Sequence, residues 1–201
     1  MFETDTTLCR KFVRGNEGAF NTLASKWQNH ILNFAYQYLG DEENARDVVQ
    51  EVLIRLYLSL KKFRGDAQFS TLLYRIVTNC CIDTFRKKNS KLHVVSFENL
   101  PPGSDNEIHC AETGANPGAE TPVDIAHRND LGERVRKALA EIPENQRIVI
   151  IMKEYSQMKF SEIAEIIETP ESTVKSRMYK GLVNLKKVLH KNGIKDWGDI
   201  E

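Results

Sequence analysis

Apolar side chains recur every three or four residues along most of this chain, first over residues 8–89 and again over residues 126–191. This spacing places them on one face of an α-helix, and no apolar–polar alternation is long enough to predict a strand. Between these stretches, residues 90–125 have few large apolar residues and contain the turn-forming sequences PPGSDNE, ANPGAE and TPVD. The pattern predicts an all-α protein, with two small helical domains joined by a flexible linker.

The clearest amphipathic pattern predicts a helix over residues 41–63, with Asp41 as its N-cap. Its expected core stripe consists of Ala45, Val48, Val49, Val52, Leu53, Leu56, Leu60 and Phe63. A second face places carboxylates and an amide beside two further apolar residues: Asp47, Gln50, Glu51, Ile54 and Leu58. This mixture fits either a solvated face beside a wide core or a partner-binding surface, and the pattern alone leaves both open.

A further helix is predicted over residues 70–88, with Ser70 as its N-cap and Arg86, Lys87 and Lys88 in its last turn. We expect one face to be buried through Leu73, Ile76, Val77, Cys80 and Thr84. Another face combines groups that suit hydrogen bonds to bases and phosphates: Thr71, Arg75, Thr78 and Asn79. The preceding residues 61–68 are typical of a cationic loop that can close over an unstacked base.

The last part of the chain predicts a helix-turn-helix rather than an ordinary helical hairpin. Pro143 precedes a helix over residues 144–155, and a break at Ser156-Gln157 leads to a short helix marked by Phe160, Ile163, Ala164 and Ile167. After a turn, Ser172 can cap a last helix with the buried stripe Val174, Met178, Leu182, Leu185 and Leu189. Its exposed face is typical of a major-groove reader: Lys175, Ser176, Arg177, Tyr179 and Lys180.

The distribution of charge supports a nucleic-acid partner although the net charge is zero, with 28 Lys and Arg against 28 Asp and Glu. Residues 61–91 hold eight Lys and Arg against two Asp and Glu, and residues 171–191 hold six against one. Residues 92–127 hold six Asp and Glu and no Lys or Arg. Two basic segments, which coincide with the candidate DNA-binding helices, therefore flank an acidic linker.

The sequence lacks the motifs that would indicate an enzyme, such as a Gly-rich phosphate loop, a metal-binding His-Glu helix or a nucleophile motif. We expect no cofactor and no metal site, since the spacing of His93, His109 and Cys110 matches no standard set of ligands. No stretch approaches the roughly 18 apolar residues of a membrane span, and the first residues do not form a secretory signal. These features predict a cytoplasmic protein without membrane insertion of its own.

Three motifs resemble, in order, those of bacterial RNA polymerase sigma factors of the extracytoplasmic-function group in the sigma-70 family. Asp47-Val-Val-Gln50-Glu51 resembles the D-x-x-Q-E core-binding motif. The segment from Phe69 to Lys88 resembles the promoter-melting helix of region 2, and the segment from Phe160 to Leu185 resembles the helix-turn-helix of region 4.

This chain departs from the pattern of that family at three positions. Leu53 stands where the family usually has an aromatic residue, and Leu72 stands where it usually has tryptophan. Glu168 occupies the position of the usual glycine in the helix-turn-helix. The turn at Glu168 must therefore avoid a positive φ or tolerate strain.

The resemblance implies a region 2 helical bundle over residues 8–89, an acidic linker over residues 90–125 and a region 4 helix-turn-helix over residues 126–191. It implies an alternative sigma factor that binds core RNA polymerase and directs promoter-specific transcription initiation, recognising the −35 and −10 elements and promoting melting. It also implies an anti-sigma factor, often membrane-tethered, which would hold the protein at the inner face of the membrane.

The resemblance further implies three sets of binding residues. The clamp helices of the largest polymerase subunit would contact Asp47, Gln50, Glu51, Ile54 and Leu58. The −10 element would contact Lys62, Arg64, Phe69, Thr71, Arg75, Thr78, Asn79 and Arg86. The −35 element would contact Ser172, Thr173, Lys175, Ser176, Arg177, Tyr179 and Lys180.

The alternative hypothesis is a free-standing helix-turn-helix transcriptional regulator. Such a protein would bind duplex DNA without polymerase. This hypothesis would not explain the mixed polar and apolar face at residues 47–58.

Overall fold

The computed structural model describes residues 4–63, 68–95 and 122–194, and every regular element in these ranges is helical. This confirms the predicted all-α class. The elements are α1 (Asp5–Val13), α2 (Glu17–Leu39), α3 (Glu42–Leu60), α4 (Phe69–Val95), α5 (Pro122–Glu141), α6 (Glu144–Ile150), a π-helical turn (Ile151–Tyr155), α7 (Phe160–Ile166) and α8 (Glu171–Lys191). Within the described ranges, no helix is long and apolar enough to cross a bilayer.

The first domain is a bundle of α1 to α4, in which α2 and α4 both pack against α3. Asp41 is the N-cap of α3, as predicted, and its Oδ1 accepts a hydrogen bond from the Asn44 amide at 2.8 Å. Burial opposes the ionisation of Asp41, but the Asn44 amide and the Lys88 ammonium outweigh it and hold the pKa of this carboxyl below its usual value. Since Lys88 lies on α4, this ion pair ties the start of α3 to the neighbouring helix.

The predicted core stripe of α3 is confirmed. Ala45, Val48, Val52, Leu56 and Leu60 are buried, and Val49, Leu53 and Phe63 pack against the core. Aromatic rings fill the space around them: Phe12, Phe20 and Tyr57 have centroids 5.1 to 5.5 Å apart. Such tilted and edge-on packing is favourable for aromatic quadrupoles and makes a small bundle dense.

The second domain consists of α5 to α8, with α6, α7 and α5 packed against α8. The predicted stripe of α8 is correct at Val174, Met178, Leu185 and Leu189 but wrong at Leu182, whose side chain is 38% exposed. Gly181 occupies the buried position instead. The buried residues of α8 are thus spaced at i, i+4, i+7, i+11 and i+15, counted from Val174. This spacing follows the helical repeat of 3.6 residues more closely than a stripe that includes residue 182 in place of residue 181.

The observed ends of α4, α5 and α8 differ from the predicted boundaries. Helix α4 begins at Phe69 and continues to Val95, so Ser70 lies inside the first turn and is not the cap. Residues 89–95 contain neither Pro nor Gly, which explains why the helix continues into the predicted linker. Helix α5 begins at Pro122 because proline is pre-organised for the first helical turn. Helix α8 follows Pro170, so Ser172 likewise lies inside the helix.

The predicted helix over residues 144–155 is present, but its second half, Ile151–Tyr155, is a π-helical turn. The predicted break at Ser156-Gln157 is confirmed, since Gln157 has a φ of 53°. Glu168 has a φ of 51°. The helix-turn-helix therefore tolerates strain at the position where the resembling family has glycine.

Candidate functional site

The candidate polymerase-binding residues form one exposed stripe along α3. Asp47, Gln50 and Glu51 are exposed, and the large apolar side chains of Ile54 and Leu58 are 58% and 57% exposed. Glu51 forms an ion pair with Arg55 at 2.6 Å, which keeps its carboxylate at the surface. Two neighbouring apolar side chains left uncovered beside carboxylates are typical of an interface with a partner.

The candidate −10 residues lie along α4 and in the loop that precedes it. Lys62 is exposed, whereas Arg64 lies outside the described residues. Phe69 is buried and its ring lies 5.8 Å from that of Trp27, so in this arrangement it supports the start of α4 and is not free to stack on a base. The remaining candidates on α4 are brought together on one face: Thr71, Arg75, Thr78, Asn79 and Arg86.

That face of α4 is turned toward the second domain. Arg75, Thr78 and Asn79 line a cavity of about 260 Å3, whose opposite wall includes Glu168 and Arg177. Thr71 and Thr78 are buried, and Asn79 remains exposed. The sequence predicted the composition of this face but not that another part of the chain covers it.

The candidate −35 residues are presented by the first half of α8. Lys175, Ser176, Tyr179 and Lys180 are exposed and share one side of the helix, while Ser172 and Thr173 lie in its first turn. Lys175 forms an ion pair with Glu171 at 2.7 Å, and this pairing raises its pKa. Arg177 differs from the rest because it is partly buried and lines the cavity toward α4.

Sequence reasoning missed Arg147, the residue around which the two domains meet. It is 2% exposed, and its guanidinium lies 4.0 Å from the ring centroid of Phe85 and 5.1 Å from that of Tyr38. Its Nη2 donates to the carbonyl oxygens of Ala140 and Ile142 at 2.7 and 3.2 Å. The sequence did contain a signal, since Arg147 directly precedes the apolar run at residues 148–152. An arginine next to such a core segment is rarely buried without a special partner, so a partner for it could have been sought.

The burial of this junction shifts the pKa of both polar groups in it. Desolvation lowers the pKa of Arg147, although nearby Tyr38 and Glu144 act in the opposite direction. Desolvation also raises the pKa of Tyr38, partly offset by the charge of Arg147. Because arginine ionises far above neutral pH, the buried guanidinium remains a cation facing two aromatic rings.

Comparison with known proteins identifies the family of both domains. Residues 23–91 match Sigma-70 region 2, and residues 132–185 match Sigma-70, region 4. The chain is 31% identical over 191 residues to the RNA polymerase sigma-H factor of Pseudomonas aeruginosa, covering 93% of this chain and 94% of that protein. It is also 31% identical over 181 residues to the ECF RNA polymerase sigma-E factor of Escherichia coli K12, covering 88% and 90%.

Two solved structures share the fold. One is CnrH in complex with the cytosolic domain of CnrY, with a TM-score of 0.67, 21% identity and coverage of 94% of this chain and 99% of that chain. The other is the sigma factor RpoE in complex with the anti-sigma factor NepR from Bartonella quintana, with a TM-score of 0.61, 20% identity and coverage of 85% and 96%. The chain therefore belongs to the sigma-70 family, and within it to the extracytoplasmic-function sigma factors.

Proposed function

We propose that this protein is an alternative sigma factor that binds core RNA polymerase and directs promoter-specific initiation of transcription. Both matched regions and relatives aligned over most of their length support this function. Sigma factors are non-catalytic regulatory subunits that act in the cytoplasm. The alternative of a free-standing helix-turn-helix regulator is not favoured, because it would leave region 2 and the exposed stripe of α3 without a role.

The single observation that carries the proposal is the exposed stripe of α3, within the domain that matches region 2. We infer that Asp47, Gln50, Glu51, Ile54 and Leu58 contact the clamp helices of the largest polymerase subunit. Covering Ile54 and Leu58 would remove apolar surface from water, which favours association by about 25 cal/mol for each Å2 buried. The flanking carboxylates and the amide of Gln50 would set the register of the contact.

For the −10 element, we infer that α4 and the preceding loop hold the displaced single strand and a flipped base. Lys62, Arg64, Arg75 and Arg86 would neutralise phosphates, and Thr71, Thr78 and Asn79 would hydrogen-bond to base edges. Phe69 would support the first turn of this surface. Flipping a base costs a few kcal/mol, so these contacts must offset that cost for melting to proceed.

For the −35 element, we infer that the N-terminal half of α8 lies in the major groove of duplex DNA. Lys175, Ser176, Tyr179 and Lys180 form the exposed face that would meet the bases. Ser172, Thr173 and Arg177 would contact phosphates near the positive end of the helix. The exposed position of this face supports its availability to DNA.

An anti-sigma factor is the further partner that we infer. The solved complex of RpoE with NepR pairs a sigma factor of similar fold with such a protein. A membrane-tethered anti-sigma factor would hold this chain at the inner face of the membrane.

The test of the proposed function is the double variant Gln50→Ala/Glu51→Ala. Both side chains are exposed, so we expect the free energy of unfolding to change by about 0.5 kcal/mol or less. Affinity for bacterial core polymerase, measured by fluorescence anisotropy of labelled protein, should fall at least about tenfold, or about 1.4 kcal/mol.

The matched control is Gln28→Ala/Asn29→Ala, which truncates two exposed polar side chains on α2. It should bind core polymerase as the wild type does. Undiminished affinity in a correctly folded Gln50/Glu51 variant would contradict the assignment of the α3 stripe.

A further inference from the structure

Helix α8 carries a single carboxylate, and this group lies at the end of the helix that would enter the major groove. Glu171 is the first residue of α8, whose 21 residues include six Lys and Arg and no other acidic residue. A carboxylate that approaches DNA is repelled by the phosphates of both strands. In a DNA complex, this repulsion is offset only where the carboxylate meets a hydrogen-bond donor.

Glu171 is joined to Lys175, which lies one helical turn further along α8. Oε1 of Glu171 lies 2.7 Å from Nζ of Lys175, and the two side chains remain 45% and 49% exposed. Residues at i and i+4 lie above one another on a helix, and exposed Tyr179 continues the same row. A hydrogen-bond acceptor and a donor thus stand side by side at the tip of the proposed recognition helix.

The ring of Phe160, at the start of α7, holds this pair from a second direction. Nζ of Lys175 lies 5.9 Å from the ring centroid, and Nζ of Lys153 lies 5.1 Å from it. An aromatic face attracts a cation at distances up to about 6 Å. The Lys175 ammonium is therefore positioned by a carboxylate and by a ring before DNA binds, which lowers the entropy lost on binding.

The order of charges in this pair complements the major-groove edge of a C·G base pair. There, the N4 amino group of cytosine is a donor and O6 and N7 of guanine are acceptors. N4 and O6 lie about 2.9 Å apart, since they share a base-pairing hydrogen bond. In an A·T pair, the donor N6 lies between two acceptors, O4 and N7, which repel a carboxylate. The pair of Glu171 and Lys175 therefore fits C·G better than A·T.

We propose that Glu171 and Lys175 together read one C·G base pair of the −35 element, with Glu171 accepting from cytosine N4 and Lys175 donating to guanine. The proposal rests on the proposed function, because it places α8 in the major groove. It adds Glu171 to the residues that determine promoter specificity. Both residues should govern the same position of the −35 element, since they contact the two bases of one pair.

The alternative role of Glu171 is structural, because a negative charge in the first turn stabilises a helix through its dipole. Glu171→Asp separates the two roles. Aspartate keeps the charge at the start of α8, but its side chain is one methylene shorter and reaches neither Lys175 nor the base. A dipole role therefore predicts wild-type promoter choice in this variant, whereas base reading predicts a loss of the C·G preference.

The test is transcription by reconstituted holoenzymes from a promoter library randomised at −35, with full-length wild type, Glu171→Ala, Glu171→Gln, Glu171→Asp and Lys175→Ala. Wild type should prefer C·G at one position. Glu171→Ala, Glu171→Asp and Lys175→Ala should each reduce that preference by about five- to thirtyfold at this position and leave the others unchanged. Glu171→Gln should shift the preference toward A·T, because a side-chain amide pairs with N6 and N7 of adenine.

The matched control is Glu133→Gln, which removes an ion pair of the same i, i+4 spacing from α5, where Glu133 lies 2.6 Å from Lys137. It should retain the wild-type preference at every position. Thermal melting followed by circular dichroism should show that all variants are folded. An unchanged C·G preference in Glu171→Gln, wild-type behaviour of Glu171→Asp, or effects of Glu171 and Lys175 at different positions would each overturn the proposal.

The same library separates failure of the base-pair reader from failure of the proposed function. If the wild-type holoenzyme transcribes no promoter beyond core polymerase alone, the proposed sigma function fails. If it transcribes with a clear −35 preference that the Glu171 variants retain, the reading of a C·G pair by Glu171 is refuted and the sigma function stands.

Discussion

At the scale of single residues, Gly181 sets the distance at which α8 crosses α6. A methyl group at this position would lie 2.9 Å from Cδ1 of Ile150 and 3.2 Å from Cβ of Gln146. Gln146 also accepts a hydrogen bond from Asn184 at 2.8 Å, which fixes the register of the two helices. The absence of a side chain at Gly181 therefore allows α8 to lie this close to α6.

We predict that Gly181→Ala lowers the free energy of unfolding by about 1 kcal/mol. Overpacking a close crossing costs about 1–3 kcal/mol, and the better helix propensity of alanine returns up to about 1 kcal/mol. Urea denaturation followed by circular dichroism measures the difference. Gly132→Ala is the matched control, since a methyl group there meets only Nη1 of Arg136 at 3.5 Å. This control should be stabilising, and the same sign in both variants would contradict the packing argument.

At the scale of the element, we propose that the exposed side of α8 divides into base-reading and phosphate-holding positions. Lys175 and Ser176 are exposed near the start of the helix, where a recognition helix meets base edges. Arg177 lies further round the helix and is partly buried. The position of each residue around the helix axis therefore predicts a different effect on promoter choice.

We predict that Lys175→Ala and Ser176→Ala change which −35 sequences the holoenzyme uses, while Arg177→Ala weakens all of them alike. A lost base contact costs about 1–3 kcal/mol at one position of the site, whereas a lost phosphate contact lowers the salt dependence by about one unit. Transcription from a library randomised at −35 measures both effects. Unchanged preference in both the Lys175 and Ser176 variants would mean that another face enters the groove.

The sequence predicted best the bounds and buried faces of helices that have a clear N-cap and a regular apolar stripe. Helix α3 has a strong N-cap at Asp41 and a regular apolar stripe, and both are where the pattern placed them. Helix α4 was predicted to end at residue 88, because cations such as those at residues 86–88 are common in a last helical turn. No helix-breaking residue follows them, and the helix continues to Val95. The π-helical turn at Ile151–Tyr155 left no periodic signal, since one extra residue per turn only shifts the phase of the pattern.

The covering of α4 could not be predicted from the sequence. The polar side chain of Thr78 resembles those of a solvated or ligand-binding face, yet it is buried and lines a cavity whose other wall comes from a domain far along the chain. The partners Arg147 and Phe85 are separated by the acidic segment, so no local spacing connects them. Their pairing is a tertiary property, as is the ion pair of Glu168 with Arg75 on α4.

At the scale of the whole molecule, the packing of the second domain on α4 depends on charge pairs that face water. The side chain of Arg86 is 66% exposed and that of Glu168 is 71% exposed. Exposed ion pairs are each worth about 0–1 kcal/mol and weaken as salt is added. The buried junction around Arg147 adds contacts but leaves polar atoms without partners.

We therefore predict that salt opens the free protein. The Debye length falls from about 10 Å at 0.1 M to about 3 Å at 1 M salt, which weakens the pairs of Arg75 with Glu168 and Arg86 with Glu144. Small-angle X-ray scattering across this range should show a radius of gyration that increases with salt in wild type. The variant Glu144→Gln/Glu168→Gly should start open and change little. An equal response to salt in both proteins would show that the ion pairs do not hold the domains together, because the variant has no pairs left to screen.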